Sequence, residues 1–194
     1  MDGLEVFLLR KFGLILFLSC LLVITGCSAK EGRPLEDFQY TDQDGQSFGL
    51  KDLEGKVWVA NLFFTNCTTV CPTLTANMSY IQQQAEEAGL DEVHFVSFSV
   101  DPEVDTPEDI KKYAESFAAN FSTWHFLTGY SQKEIEDYAL NNFKEWVVKP
   151  ENDDQVIHGT KFFLMNKNGE VISDYPGDVD VPYKQILKDI KSAL

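Results

Sequence analysis

One stretch limits the folds open to this chain. An eight-residue apolar run, Val57-Trp58-Val59-Ala60-Asn61-Leu62-Phe63-Phe64, leads through a short turn holding Cys67 and Cys71 into a segment with helical spacing that opens at Pro72. The run has the length and the β-branched and aromatic content of a strand buried on both faces. Pro72 suits a first helical turn, where its missing N–H would have had no partner. Both sulphurs therefore fall at a strand-to-helix turn. If both also lie in the first helical turn they share a face, with Cα atoms roughly 6 Å apart at about 1.5 Å rise per residue. A disulfide can close over that distance, and two thiolates so placed can also hold one metal ion. The motif can act as a dithiol, a disulfide or a metal clamp.

Cysteine usage sharpens that choice. Of four cysteines, Cys20 and Cys27 belong to the N-terminal region, so only Cys67 and Cys71 remain for a folded domain and no disulfide scaffold is being built. Arg10-Lys11, an apolar run from Phe12 to Ile24 and then Thr25-Gly26-Cys27 resemble a bacterial lipoprotein signal. The run is short for a membrane span and matches a signal-peptide core. Residues 1–26 are therefore expected to be removed, with Cys27 lipidated and residues 27–36 forming a polar tether. An uncleaved anchor is the alternative. Either way the expected location is the extracytoplasmic face of a bacterial membrane. The net charge of −15 argues against nucleic acid or anionic lipid as a partner.

Along the remaining chain, 37–194, strand and helix patterns alternate. Phe38-Gln39-Tyr40 and Ser47-Phe48-Gly49-Leu50 flank an Asp44-Gly45 turn and predict an N-terminal hairpin. After the buried strand and the helix to about Ala88, a second apolar strand spans Glu92 to Val100. Thr106-Pro107-Glu108-Asp109 then opens a helix, Trp124 to Gly129 is a short strand, and Ser131-Gln132-Lys133-Glu134 reads as a capping box for a helix to about Phe143. A hairpin around Asn166-Lys167-Asn168-Gly169 and a helix from Pro182 close the chain. Right-handed crossovers make the early strands parallel, while the hairpins add antiparallel ones. The expected class is α/β: a thioredoxin-like mixed sheet with helices on both faces and an N-terminal β-hairpin, the cysteines at the carboxyl end of a central strand.

Two sulphurs alone leave redox and metal chemistry open; a third ligand would separate them. His94 and His125 alternate with apolar residues in strand patterns and read as structural. His158 lies in a loop just before the strand from Phe162, where thioredoxin-type oxidoreductases place a cis-proline, and no proline occurs between Glu151 and Asp174. Its imidazole could meet the sulphurs, or it could be an ordinary satisfied loop histidine. Asp101, at the end of the second strand, could hydrogen-bond beside the site or cap its own turn.

Taken together, Cys67-x-x-x-Cys71-Pro72, Ser99-Val100-Asp101-Pro102 with Asp105-Thr106-Pro107, and Val156-Ile157-His158 resemble the Sco (SenC) family across the chain from about Phe38. That resemblance implies one copper ion held by Cys67, Cys71 and His158. It implies a metallochaperone supporting the binuclear copper centre of cytochrome c oxidase subunit II, whose copper domain would be the partner of a monomeric carrier. Two thiolates suit Cu(I), and an added imidazole accommodates Cu(II). A thiol-disulfide oxidoreductase reducing the oxidase's copper-ligand cysteines is the alternative, with Cys67 and Cys71 as its redox pair.

Overall fold

In the computed structural model, residues 32–194 are described; the leader and Cys27 lie outside them. One eight-stranded sheet runs through the domain, with β1 Arg33–Pro34, β2 Gln39–Asp42, β3 Ser47–Gly49, β4 Val57–Phe63, β5 Val93–Ser99, β6 Trp124–Thr128, β7 Lys161–Met165 and β8 Glu170–Pro176. Their spatial order is β1-β8-β7-β4-β5-β6-β2-β3. Strands β4, β5 and β6 are parallel, in register Val57↔Val93 and Phe95↔Trp124, and β7 and β8 add antiparallel neighbours on the other side of β4. The predicted N-terminal hairpin forms and extends the sheet by pairing β2 with β6.

All seven residues of β4 are buried, as a strand flanked on both sides and covered on both faces must be. Its alternation splits the core in two. Trp58, Ala60 and Leu62 pack beneath helix α3 (Gln132–Tyr138), while Val57, Val59 and Phe63 pack beneath α1 (Cys71–Glu87), α2 (Pro107–Glu115) and α4 (Tyr183–Ala193). Helix α1 presents Leu74, Met78, Ile81 and Ala85 at helical spacing, all fully buried. The polar exception on β4, Asn61, accepts a hydrogen bond from Ser97 Oγ at 2.6 Å, and that hydroxyl in turn accepts one from Trp124 Nε1 at 2.9 Å. The caps at Thr106 and Ser131 form as their sequences imply.

Two expectations change. The helix from Ser131 is α-helical only to Tyr138; Ala139–Phe143 widens into a π turn and ends at Lys144 with φ 59°. That widening is tied to the second change. Residues 33–36, expected to be tether, belong to the fold: Arg33 and Pro34 pair with Val171 and Glu170, the Arg33 guanidinium donates to the Asn142 carbonyl at 2.6 and 3.0 Å, and Glu36 N–H donates to Asn142 Oδ1 at 2.7 Å. A proline is tolerated in a strand only at such an edge. Leu35, 9% exposed, anchors the segment in the core. Leu35→Ala is therefore expected to lower unfolding free energy by ~2 kcal/mol in a urea titration, the lower end of the range for buried leucine truncations; a free tether residue would give no shift.

Candidate functional site

Strand β4 ends at Phe63 and the chain turns through residues 64–70 before α1 begins at Cys71. Cys71 is thus the first helical residue and is fully buried, whereas Cys67 lies in the turn ahead of the helix, 7% exposed. The two cysteines do not share a helical face. Instead the Cys67 sulphur accepts the Cys71 backbone N–H at 3.3 Å, taking the place of the absent side-chain cap at the helix N-terminus. Thr69 Oγ1 lies 3.8 Å from the same sulphur. Burial raises the Cys67 thiol, but the bonds from Cys71 and Thr69 outweigh it and leave the pKa below its ordinary value. The Cys71 thiol is pushed well up, by burial first and then by its neighbour Cys67. The pair is therefore asymmetric: one exposable, anion-favouring sulphur and one buried, protonated one.

His158 reaches this pair across 87 residues. Its Nε2 sits 3.3 Å from Cys71 Sγ, and its Nδ1 lies 2.7 Å from the Gly159 carbonyl. That carbonyl can only accept, so Nδ1 carries the proton and the Nε2 lone pair faces the sulphur. Burial holds the imidazole below its usual pKa, and Phe64 meets it edge-on with ring centroids 5.8 Å apart. A short ribbon supports it: Val148 and Ile157 exchange backbone bonds of 2.9 Å each. Gln155 clasps the ribbon to the cysteine turn, donating to the Asn66 carbonyl at 3.1 Å. An open cleft of about 310 Å³, lined by Phe64, Cys67, Val70, Gln155, Val156, Ile157 and His158, gives access to the Cys67 sulphur.

The structure brings Cys67, Cys71 and His158 to one place, with Cys71 touching both of the others through its amide and its sulphur. No group of three His, Cys, Asp or Glu residues among those described is drawn together tightly enough to hold a metal ion as it stands. Cys67 Sγ is engaged by an amide, so a metal competing for it must outbid one weak hydrogen bond. The donor chemistry fits a soft ion: two sulphurs and a neutral imidazole nitrogen with its lone pair free.

Asp101 is buried and its carboxylate pairs with Lys149 Nζ at 2.5 Å, rather than with a cysteine or the imidazole. It bears on the site through the ribbon, since Lys149 adjoins Val148. The carboxylate that holds the cysteine turn is Asp105, which sequence reasoning quoted but gave no role. Asp105 accepts from Thr65 Oγ1 at 2.5 Å, Thr65 N–H at 3.2 Å and Ser99 Oγ at 2.6 Å, tying the ends of β4 and β5 together. Burial raises its pKa despite these bonds. Its position four residues after Asp101 in a turn was the available signal. His94 and His125 are remote from the sulphurs: His94 pairs across from Trp58 on β4, and His125 stacks on Phe48 at 3.9 Å.

The fold and site define a class: a thioredoxin-like domain with a vicinal-type dithiol at the start of a helix and, where a cis-proline would sit, a histidine; among the described residues no peptide bond is cis. The chain matches the SCO1/SenC family over residues 28–194 and belongs to it. Among solved structures it is similar to a SCO1/SenC family lipoprotein from Bacillus anthracis, with 51% identity and a TM-score of 0.81 over 84% of this chain and 95% of that one. BsSco, described as a member of the Sco family of cytochrome c oxidase assembly proteins with a disulfide switch, shares 46% identity at a TM-score of 0.77, covering 84% and 94%. ScoI of Bradyrhizobium japonicum, solved with copper bound, shares 28% identity at a TM-score of 0.69, covering 83% and 99%. No helix among the described residues is long and apolar enough to cross a membrane.

All three histidines have pKa values lowered first by burial, His94 to about 4. A lowered imidazole pKa means the unfolded chain binds more protons below about 6.5, so stability is present at neutral pH and is lost on acidification. Unfolding free energy is expected to fall as pH drops from about 6.5 towards about 4, and His94→Phe is expected to flatten that slope in urea titrations across the window. Because the raised carboxyl of Asp105 acts in the opposite sense, the difference in slope between wild type and His94→Phe is the measure, and an unchanged slope would contradict the burial of His94.

Proposed function

We propose that this protein is a membrane-tethered copper metallochaperone that binds one copper ion through Cys67, Cys71 and His158. It would support assembly of the binuclear copper centre of cytochrome c oxidase subunit II, whose copper domain is its partner. The observation that carries the reading is the Cys71 Sγ–His158 Nε2 approach of 3.3 Å, with Cys67 one amide away. A neutral imidazole oriented by its Nδ1–Gly159 bond is a ready nitrogen donor for a metal ion. Copper in the related ScoI and the oxidase role of BsSco's family agree with this chemistry. Lipid on Cys27 would hold the domain at the extracytoplasmic face of a bacterial membrane. The bound ion is cargo: three protein donors beside an open cleft leave a coordination position through which an acceptor can take hold.

Loading consumes a proton-bearing site. Cys67 is the easier thiol to ionise, while the buried Cys71 must lose its proton as the ion arrives, so binding releases protons and strengthens with pH. Titration of the reduced protein with Cu(I) and with Cu(II) tests the reading. One equivalent is expected, and His158→Ala is expected to weaken Cu(II) binding beyond the ~10–100-fold that loss of an outer-shell partner costs. Absence of stoichiometric binding, or indifference to His158, would overturn it.

A second reading has its own support. The unequal thiols, one anion-favouring and reachable and one buried, match an attacking and a resolving cysteine of a thiol-disulfide oxidoreductase. Attack by Cys67 on a substrate disulfide forms a mixed disulfide, and Cys71 then displaces the second substrate thiol, leaving Cys67–Cys71 oxidised and the substrate reduced. The Cys71 proton can pass to His158 Nε2, 3.3 Å away, so for His158→Ala this reading expects disulfide exchange to be retained but slowed at the Cys71 step.

A further inference from the structure

The ribbon that delivers His158 has two faces. Val147 and Val156 are buried on one side, 4% and 6% exposed, and Val156 lines the cleft with His158. Its other face carries Trp146, Val148 and Ile157, which are 70%, 45% and 64% exposed. Val148 and Ile157 are opposed across the ribbon, and the exposed Trp146 lies two residues before Val148. Six large apolar side chains are exposed among the described residues, and these three are half of them, gathered on the element that holds the metal-side imidazole. The backbones of Val148 and Ile157 hold the ribbon, while their side chains and that of Trp146 stay largely in solvent. An exposed apolar cluster of this kind marks an interaction surface.

Its surroundings restrict the occupant. The loop closing the ribbon exposes Glu151, Asp153 and Asp154, none of them in an ion pair with a lysine or arginine. The nearby cation Lys149 is already taken by Asp101 and Glu103, at 2.5 and 3.6 Å. An apolar centre with an anionic rim repels an anionic membrane surface, and a second copy of a chain with net charge −15 meets like charge. We propose that Trp146, Val148 and Ile157 form the docking face for a folded protein that presents an apolar knob ringed by basic residues, and that this protein is the metal acceptor. The proposal rests on the copper-carrier reading above. Docking there places the acceptor against the strand whose next residue is His158, so the contact that recognises the partner also bears on the ligand to be released. The acidic rim governs encounter rate and register, and the tryptophan supplies the anchor.

Trp146 makes the proposal directly observable, because the other two tryptophans, Trp58 and Trp124, are fully buried. In fluorotryptophan-labelled full protein, addition of the copper-free soluble domain of oxidase subunit II is expected to shift or broaden the fluorine resonance of Trp146 and leave the other two in place. In copper-transfer kinetics to the same domain, Trp146→Ser is expected to take up one copper as wild type does. It is expected to need at least about tenfold more acceptor for half-maximal rate. Glu151→Lys is expected to slow transfer at low salt and converge with wild type at high salt. An unmoved Trp146 resonance in wild type, or equal half-saturation in Trp146→Ser, overturns the docking face while leaving the carrier reading intact. A Trp146 shift seen only with anionic vesicles, or only as this protein is concentrated alone, assigns the face to a membrane or to a second copy and equally overturns it. Copper-loaded wild type that transfers nothing overturns the carrier reading, and the proposal with it.

Discussion

The contact between Cys71 Sγ and His158 Nε2 depends on one buried carboxylate. Asp105 accepts three hydrogen bonds, two from Thr65 at the exit of β4 and one from Ser99 at the end of β5. Its own carbonyl accepts from Thr128 Oγ1 on β6 at 2.9 Å, so the ends of three parallel strands converge on one residue. An unpaired carboxylate in that place would be costly, and its satisfied bonds set where the cysteine turn leaves the sheet. Helix α1 can then start only at Cys71, and its first amide finds the Cys67 sulphur. The site's two halves, turn and ribbon, meet because the turn is fixed from below by Asp105 and clasped from the side by Gln155.

That arrangement explains why the two thiols differ although they are four residues apart. Cys67 sits in front of a helix N-terminus, where partial positive charge and a donated N–H favour its anion. Cys71 is sealed beneath the same turn against β-sheet core, where no water can solvate a charge. A soft metal ion and a substrate disulfide both exploit that difference, and so the same geometry supports carriage and reduction. What distinguishes them is the imidazole, whose tautomer is set by a neighbouring carbonyl rather than by either sulphur.

Much of this was legible from residues. The run from Val57 gave a strand buried on both faces because both faces of it are apolar, and the caps at Thr106 and Ser131 formed because their partners lie three residues away on the same turn. His158 stood out because a histidine occupies a loop position that topology carries beside the cysteines. What sequence left unread depended on distant partners. Arg33 and Pro34 carry no strand signal, and they pair only because β8 offers an open edge and Asn142 an open carbonyl. Spacing left open whether Cys67 joins the first helical turn, because it says nothing about where an amide first becomes helical. Asp105 looked like one acid in a polar turn until three strand ends supplied its donors. The ribbon of residues 146–158 lacks any alternation long enough to call a strand, being held by a single bridge and a glutamine.

The sheet's margins have a consequence of their own. Its outermost strands are β1, two residues long and containing a proline, and β3, three residues long. An open sheet ordinarily exposes a row of unsatisfied amides and carbonyls that another molecule can zip onto, and the hazard grows with the length of that row. Stubs of this size offer almost nothing to copy, so molecules crowded side by side have no template for polymerising through their backbones. Among the described residues the outline of the fold thus offers little for backbone-to-backbone pairing, leaving side chains to decide which neighbours the domain keeps.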